Sequence, residues 1–162
     1  MNIETFDIKD FIDNYKSDNS TEREDRRKDT NEVFTPFEIV ENMCSKIPDE
    51  DWADGSKTFL EPSFGIGNII LYIIWRRLKA GVSWYMALDN LYGTELMPDN
   101  VKECKARILE LLHRLEVDCF DSDVLAVLDK NLVCTDFFEW DFDNWKPIEK
   151  EEKQESSAVA LF

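Results

Sequence analysis

The segment Thr58-Phe59-Leu60-Glu61-Pro62-Ser63-Phe64-Gly65-Ile66-Gly67-Asn68-Ile69-Ile70 limits the possible folds of this chain more than any other. It runs from an apolar strand through an acid and a glycine turn into an apolar helix without a break. Gly65 and Gly67 let the backbone turn tightly and approach a ligand closely. The strand spans Lys57 to Leu60 and the helix Ile66 to Leu78, which ends in Arg76, Arg77 and Lys79 with Gly81 as its stop. This is a βα unit, and a second follows. Asn90 to Leu96 reads as a strand ending at Glu95. Pro98-Asp99 then opens a helix to Leu115, with Val101, Cys104, Ile108, Leu111 and Leu112 on one face. Leu125 to Leu128 adds a short helix, and Leu132-Val133-Cys134-Thr135-Asp136 a third strand. Such alternation predicts an α/β fold of Rossmann-like type, a truncated parallel sheet with helices on both faces.

The flanks are of other character. Ile3, Phe6, Ile8, Phe11, Ile12 and Tyr15 suit a short amphipathic helix docked on the domain, while residues 16–31 are almost wholly polar. Arg23, Arg26, Arg27 and Lys28 form a basic knot, but Glu22, Glu24, Asp25 and Asp29 interleave with it, as on a solvated helix laced with ion pairs. A further helix begins with Thr35 as N-cap, Pro36 at its first position and Glu38 in its first turn. Ile39, Val40, Met43 and Ile47 are its expected buried stripe, and Pro48 follows its end. Residues 1–31 are thus read as a helical and polar extension, 32–145 as the folded domain and 146–162 as an acidic tail. From Lys146 to Ser157 the tail has the composition of a disordered segment.

With 162 residues, 43% of them hydrophobic, the chain can build one domain with a core. No apolar run approaches the roughly 18 residues of a membrane span and the first residues lack an apolar signal core, so the expectation is a soluble cytoplasmic protein with no membrane partner. Cys44, Cys104, Cys119 and Cys134 form no CxxC pair and His113 is the sole histidine, which reads as free buried thiols and no metal site. The formal charge of −16, from 35 acidic against 19 basic residues, disfavours autonomous binding to duplex DNA, whose phosphates are neutralised by Lys and Arg.

Ligands of open parallel sheets lie beyond the carboxyl ends of the strands. Three strand ends here carry an acid: Glu61, Glu95 and Asp136. A carboxylate after the second strand can accept both hydroxyls of a ribose, and one after the third can accept an exocyclic adenine amine, with Phe137 or Phe138 to stack. The aromatic pair serves equally well as core packing.

Four stretches together resemble the adenine-N6 DNA methyltransferases of restriction-modification systems. Glu32-Val33-Phe34-Thr35-Pro36-Phe37-Glu38-Ile39-Val40 resembles their N-terminal cofactor motif. Leu60-Glu61-Pro62-Ser63-Phe64-Gly65-Ile66-Gly67-Asn68 looks like their D/E-P-x-x-G-x-G motif. Tyr92-Gly93-Thr94-Glu95-Leu96-Met97-Pro98-Asp99 is similar to their second motif, and Asp136-Phe137-Phe138 fits the third. The resemblance implies S-adenosylmethionine as cofactor. Phe34, Thr35 and Pro36 would border its methionine end, Glu61, Pro62, Gly65 and Gly67 the loop beneath it, Glu95 the ribose, and Asp136 with Phe137 the adenine.

The same family uses a D/N/S-P-P-Y/F/W loop to hold the flipped base. This chain offers Asp141-Phe142-Asp143-Asn144-Trp145-Lys146-Pro147 at that place, without adjacent prolines, so no catalytic residue is assigned. Asn144 and Trp145 are the available stand-ins. Compact methylase-like proteins of phages and mobile elements have this form, and catalysis would then need a partner chain, a methyltransferase or restriction subunit. The final Ala158-Val159-Ala160-Leu161-Phe162 resembles the Q-L-x-L-F peptide that docks on the bacterial sliding clamp, with Val159, Leu161 and Phe162 as contacts. Such a peptide would bring an acidic protein to DNA through a partner. Two other readings stand beside the methyltransferase: a non-catalytic acidic interaction protein, of anti-restriction, DNA-mimic or clamp-associated kind, and a nucleotide binder unrelated to methyl transfer.

Overall fold

A computed structural model describes residues 2–15 and 35–149. The polar stretch with its basic knot, Phe34, and the tail from Lys150 with Val159, Leu161 and Phe162 lie outside the described residues.

The chain opens with a 3-10 turn, Ile3–Thr5, and helix α1, Ile8–Asp13, whose Ile8, Phe11 and Ile12 are buried as the apolar rhythm predicts. Helix α2, Phe37–Cys44, starts one residue later than expected, with Pro36 as its N-cap and no capping hydroxyl from Thr35. Its buried stripe is Phe37, Val40 and Cys44, while Ile39 and Met43 are each 51% exposed, which corrects the sequence-based stripe. The aromatic ring explains the choice: Phe37 packs edge-on against Tyr72 at 5.9 Å and turns Ile39 outward. A short helix α3, Asp49–Ala53, carries the buried Trp52, stacked on Phe59 at 5.2 Å.

Strand β1, Phe59–Glu61, leads through the glycine turn into helix α4, Asn68–Lys79, and a short helix α5, Trp84–Asp89, precedes strand β2, Leu91–Glu95. Helix α4 is buried nearly all round. Arg77, read in the sequence as an ordinary helix-ending base, has no exposed surface. Its guanidinium donates to the carbonyls of Lys57, Asp54 and Gly55 and lies 5.0 Å from the Phe59 ring, so it fixes the loop that enters β1. Helix α6, Pro98–Arg114, and helix α7, Asp121–Asn131, make the second crossover to strand β3, Leu132–Cys134. A 3-10 turn, Phe137–Glu139, then leads to a two-stranded antiparallel hairpin of β4, Trp140–Asp141, and β5, Lys146–Pro147. The expected disordered tail is therefore ordered at its first residues.

The sheet is parallel, in the order β1-β2-β3. Each crossover moves one strand further in the same direction, and right-handed crossovers that do so lay their helices on one face. The register bears this out. Phe59, Leu91 and Leu132 share a face and pack in the main core, which includes residues of every long helix. Leu60, Tyr92 and Val133 share the other face and are not part of that core. Helices α4, α5, α6 and α7 touch one another as a single layer. The expectation of helices on both faces is thereby corrected: among the described residues no helix covers the second face. The hairpin approaches it through Trp145, whose ring meets Tyr92 at 4.8 Å, and the Pro62 turn closes over its Thr94, which is fully buried. Among the described residues no helix is long and apolar enough to cross a membrane.

The thiols also differ from expectation. Cys44 and Cys104 are buried, but Cys119 is half-buried and Cys134 exposed.

Candidate cofactor site at the carboxyl end of the sheet

The glycine turn is shaped by left-handed backbone at Gly65 (φ 53°) and Gly67 (φ 90°), conformations that L side chains resist. Gly67 is held from behind as well, since any Cβ there would collide with Cys104 on α6. Thr94 ties the turn to β2, its hydroxyl donating to the Pro62 carbonyl at 2.6 Å while its own carbonyl accepts from the Phe64 amide at 3.2 Å. Gly93 must also lack a side chain, because Phe64 and Leu132 close over it.

Glu95 stands where the sequence places it, at the end of β2, and it is buried. One carboxylate oxygen accepts the Gly65 amide at 2.8 Å. The other accepts the Met97 amide at 2.9 Å and the Asn100 side chain at 3.4 Å. A single carboxylate therefore joins the glycine turn to the start of α6. Thr35 is brought to the same place, its carbonyl accepting from Asn68 Nδ2 at 2.9 Å, and Pro36 caps α2 beside it. Asn68 is fixed in turn by Arg107, whose Nη1 donates to Asn68 Oδ1 at 2.7 Å and to the Ile66 carbonyl at 2.9 Å. Arg107 is 1% exposed, and its guanidinium lies 4.1 Å from the Tyr15 ring. Asn68, Asn100 and Arg107 were not singled out from sequence. Their signal was faint: an asparagine just after the second glycine, another five residues beyond the acid, and a base on the apolar face of α6.

Among the described residues Glu61 accepts only the Ser63 amide, at 3.2 Å. Burial holds its carboxyl above the ordinary value, with the Ser63 amide pulling the other way. Beyond β3 the Thr135 amide donates to the Glu95 carbonyl at 2.9 Å, which sets Asp136 at the same end of the sheet. Asp136 caps the following 3-10 turn through the Phe138 amide at 2.8 Å. Phe137 is 42% exposed and meets Phe138 and Phe142, so it is no core residue. Asn144 and Trp145 are committed elsewhere. Asn144 bonds Asp141 from within the hairpin turn, and the Trp145 indole donates to the Lys130 carbonyl at 2.8 Å.

The donor set suits an adenosyl cofactor in kind: an acid at the end of β2, backbone amides in a glycine turn, a polar residue at Thr35 and exposed rings after β3. A cavity beside the turn, lined by Thr35, Ser63, Gly65, Ile66, Asn68 and Ile69 and not by Glu95, Asp136 or Phe137, measures about 40 Å³. That is room for a water molecule or so, against the roughly 300 Å³ of small ligand sites. The acid that would take a ribose already accepts the Gly65 and Met97 amides and the Asn100 side chain. Comparison with protein families, with curated proteins and with solved structures gave no match for this chain.

Proposed function

We propose that this chain is an S-adenosylmethionine-binding protein built on the scaffold of the adenine-N6 DNA methyltransferases, non-catalytic by itself. The observation that carries the reading is the contact between Gly65 and Glu95. It joins the two parts that an adenosyl ligand needs, a glycine turn and a carboxylate at the next strand end, across thirty residues of chain. Thr35, tied to Asn68, brings a third of the four resembling stretches to the same point. A ribose would share the Glu95 carboxylate with the Gly65 amide, since each carboxylate oxygen can accept more than one bond, and no chemical step is assigned to the site. Of the residues that could stand in for a base-holding loop, Asn144 is spent on the hairpin turn and the Trp145 indole on the Lys130 carbonyl of α7.

Calorimetric titration with S-adenosylmethionine tests this. The control is Glu95→Gln, which keeps one acceptor oxygen for the buried amides. Glu95→Ala strands those donors at about 1–3 kcal/mol each and would confuse loss of binding with loss of fold. Micromolar binding, about −8 kcal/mol, that weakens tenfold or more in a Glu95→Gln protein that still unfolds cooperatively well above the assay temperature supports the proposal. Absence of heat and of any thermal shift at millimolar cofactor refutes it.

The small cavity favours a second reading, an acidic interaction protein that keeps the fold without the ligand. Its charge of −16 suits contact with basic protein surfaces better than with DNA. Co-purification with a methyltransferase, restriction or clamp component, lost in a surface variant, would support it, and failure to retain any of the three would remove its support.

A further inference from the structure

Parallel sheets are found covered on both faces, because strands joined by crossovers read as apolar runs that water should not reach. Among the described residues four helices cover one face, while the other has no helix and is closed only at Thr94, under the Pro62 turn, and at Tyr92, under Trp145. Leu60 lies on the second face, on the same register line as Tyr92, and is 47% exposed. From Tyr92 a continuous series of ring contacts runs outward: Tyr92 to Trp145 at 4.8 Å, Trp145 to Phe142 at 6.1 Å, Phe142 to Phe137 at 4.8 Å and Phe137 to Phe138 at 5.3 Å. Phe138, at the end of that series, is 83% exposed, and Ile148 beside β5 is 49% exposed. Isolated exposed apolar residues are ordinary, but a contiguous set extending from a sheet face that no described helix covers marks a contact surface.

The charges around this surface identify the occupant. The stretch that carries the rings, residues 136–149, holds Asp136, Glu139, Asp141, Asp143 and Glu149 against the single Lys146. A second copy of the chain would bring the same acids face to face, on a protein already at −16. Like charges set opposite each other suppress association, while opposite charges steer and orient it. We propose that the Leu60, Tyr92 and Val133 face, with the aromatic series beside it, is the docking site for an apolar helix flanked by lysine or arginine and carried by another protein chain. The helix would lie across the second face as α4 to α7 lie across the first, its apolar stripe on the strands and its basic flanks toward the acids of the hairpin. This inference rests on sheet packing and charge, and holds whether or not the site at the strand ends binds a cofactor.

The probe is a synthetic helix of leucine and lysine with leucine confined to one stripe, compared with a scrambled peptide of the same composition. Binding to the full chain is read by fluorescence anisotropy, and the mass of the chain by light scattering. Leu60→Asp separates the two contributions, because it makes the surface more acidic while removing the apolar contact. Phe138→Ser is the second variant, and at 83% exposure that side chain cannot be holding the fold together. The expected result is binding of the striped peptide, roughly tenfold weaker for the scrambled one, and a loss of roughly the same size in both variants, as for interface anchors. Equal binding of the two peptides, or tighter binding to Leu60→Asp, would mean charge attraction alone and overturn the proposal. A concentration-dependent dimer abolished by Leu60→Asp would overturn it in favour of a second copy. Peptide binding that occurs only after removal of residues 150–162 would overturn it in favour of the chain's own tail.

Discussion

Replacing Gly67 by Ala puts a methyl group inside van der Waals contact of Cys104 Sγ and 3.3 Å from Cys104 Cβ, at a residue whose φ is +90°. Two costs follow from different causes. The left-handed backbone costs an L side chain about 1–2 kcal/mol. Forcing a methyl group into a packed site adds about 1–3 kcal/mol. The sum is about 3 kcal/mol, which at this chain length lowers Tm by about 6–12 °C. The causes can be separated, because Cys104→Ala removes the sulfur and leaves the backbone strain in place. Cys104 is fully buried, so that change alone costs about 1 kcal/mol. In its background Gly67→Ala should cost only the backbone part, leaving a favourable coupling of about 1–2 kcal/mol, well outside the ~0.5 kcal/mol scatter of independent sites. Urea unfolding followed by tryptophan fluorescence on the four proteins of the cycle reads this directly, provided that m is unchanged. Strict additivity would refute the reasoning, since it would mean that α6 does not hold the turn from behind.

The other expectations concern titration, thiol access and helix α2. Burial raises the Glu61 carboxyl, so the folded protein holds that proton more tightly than the unfolded chain. This group's contribution to stability therefore falls as pH rises from the ordinary carboxylate range through the raised folded value. Glu61→Gln should be more stable than the parent at neutral pH, with the difference vanishing below about pH 4, and denaturation at both pH values checks the sign. Burial pushes the Cys44 thiol up to about 11 and the Cys104 thiol up to about 12. A thiol reagent at neutral pH should therefore modify Cys134 first, Cys119 more slowly, and the other two only on unfolding, as peptide mapping of the products would show. Ile39→Ser should leave stability within about 0.5 kcal/mol, whereas Val40→Ala, at a residue with no exposure, should cost about 2 kcal/mol. A loss at Ile39→Ser as large as that at Val40→Ala would restore the stripe read from sequence.

What was legible in the sequence was what the backbone itself demands. The glycine turn, the apolar runs of β1 and β2, and the seventeen-residue helix α6 with its unbroken apolar face were all recognisable. Helices α3 and α5, at five and six residues, are too short to display a helical period, and both were missed. The stripe of α2 was right at Val40 and wrong at Ile39 and Met43, because one ring, Phe37, decides which side faces Tyr72, and periodicity alone does not rank a phenylalanine above an isoleucine. The covering of the sheet failed for a topological reason. Alternating strands and helices imply crossovers, but only the strand order says on which side they fall. In the site, the acid of β2 and the glycine turn were correctly brought together, whereas the prior claim of buried amides on Glu95 depends on contacts across thirty residues that no local pattern displays.

The strand order has a consequence for how the chain assembles. Because the strands lie in the sheet in the sequence in which they are made, each long-range pairing closes only the crossover just completed. Phe59 finds Leu91, and Gly93 then finds Leu132. No described strand must wait for one two crossovers away, and the N-terminal helices pack on α4 of the first crossover. Closure entropy grows slowly with loop length, so two moderate closures, each rewarded at once by pairing, suit stepwise growth from the amino end. The β1-β2 unit can therefore be complete before β3 arrives, and β3 adds to an edge that is already formed.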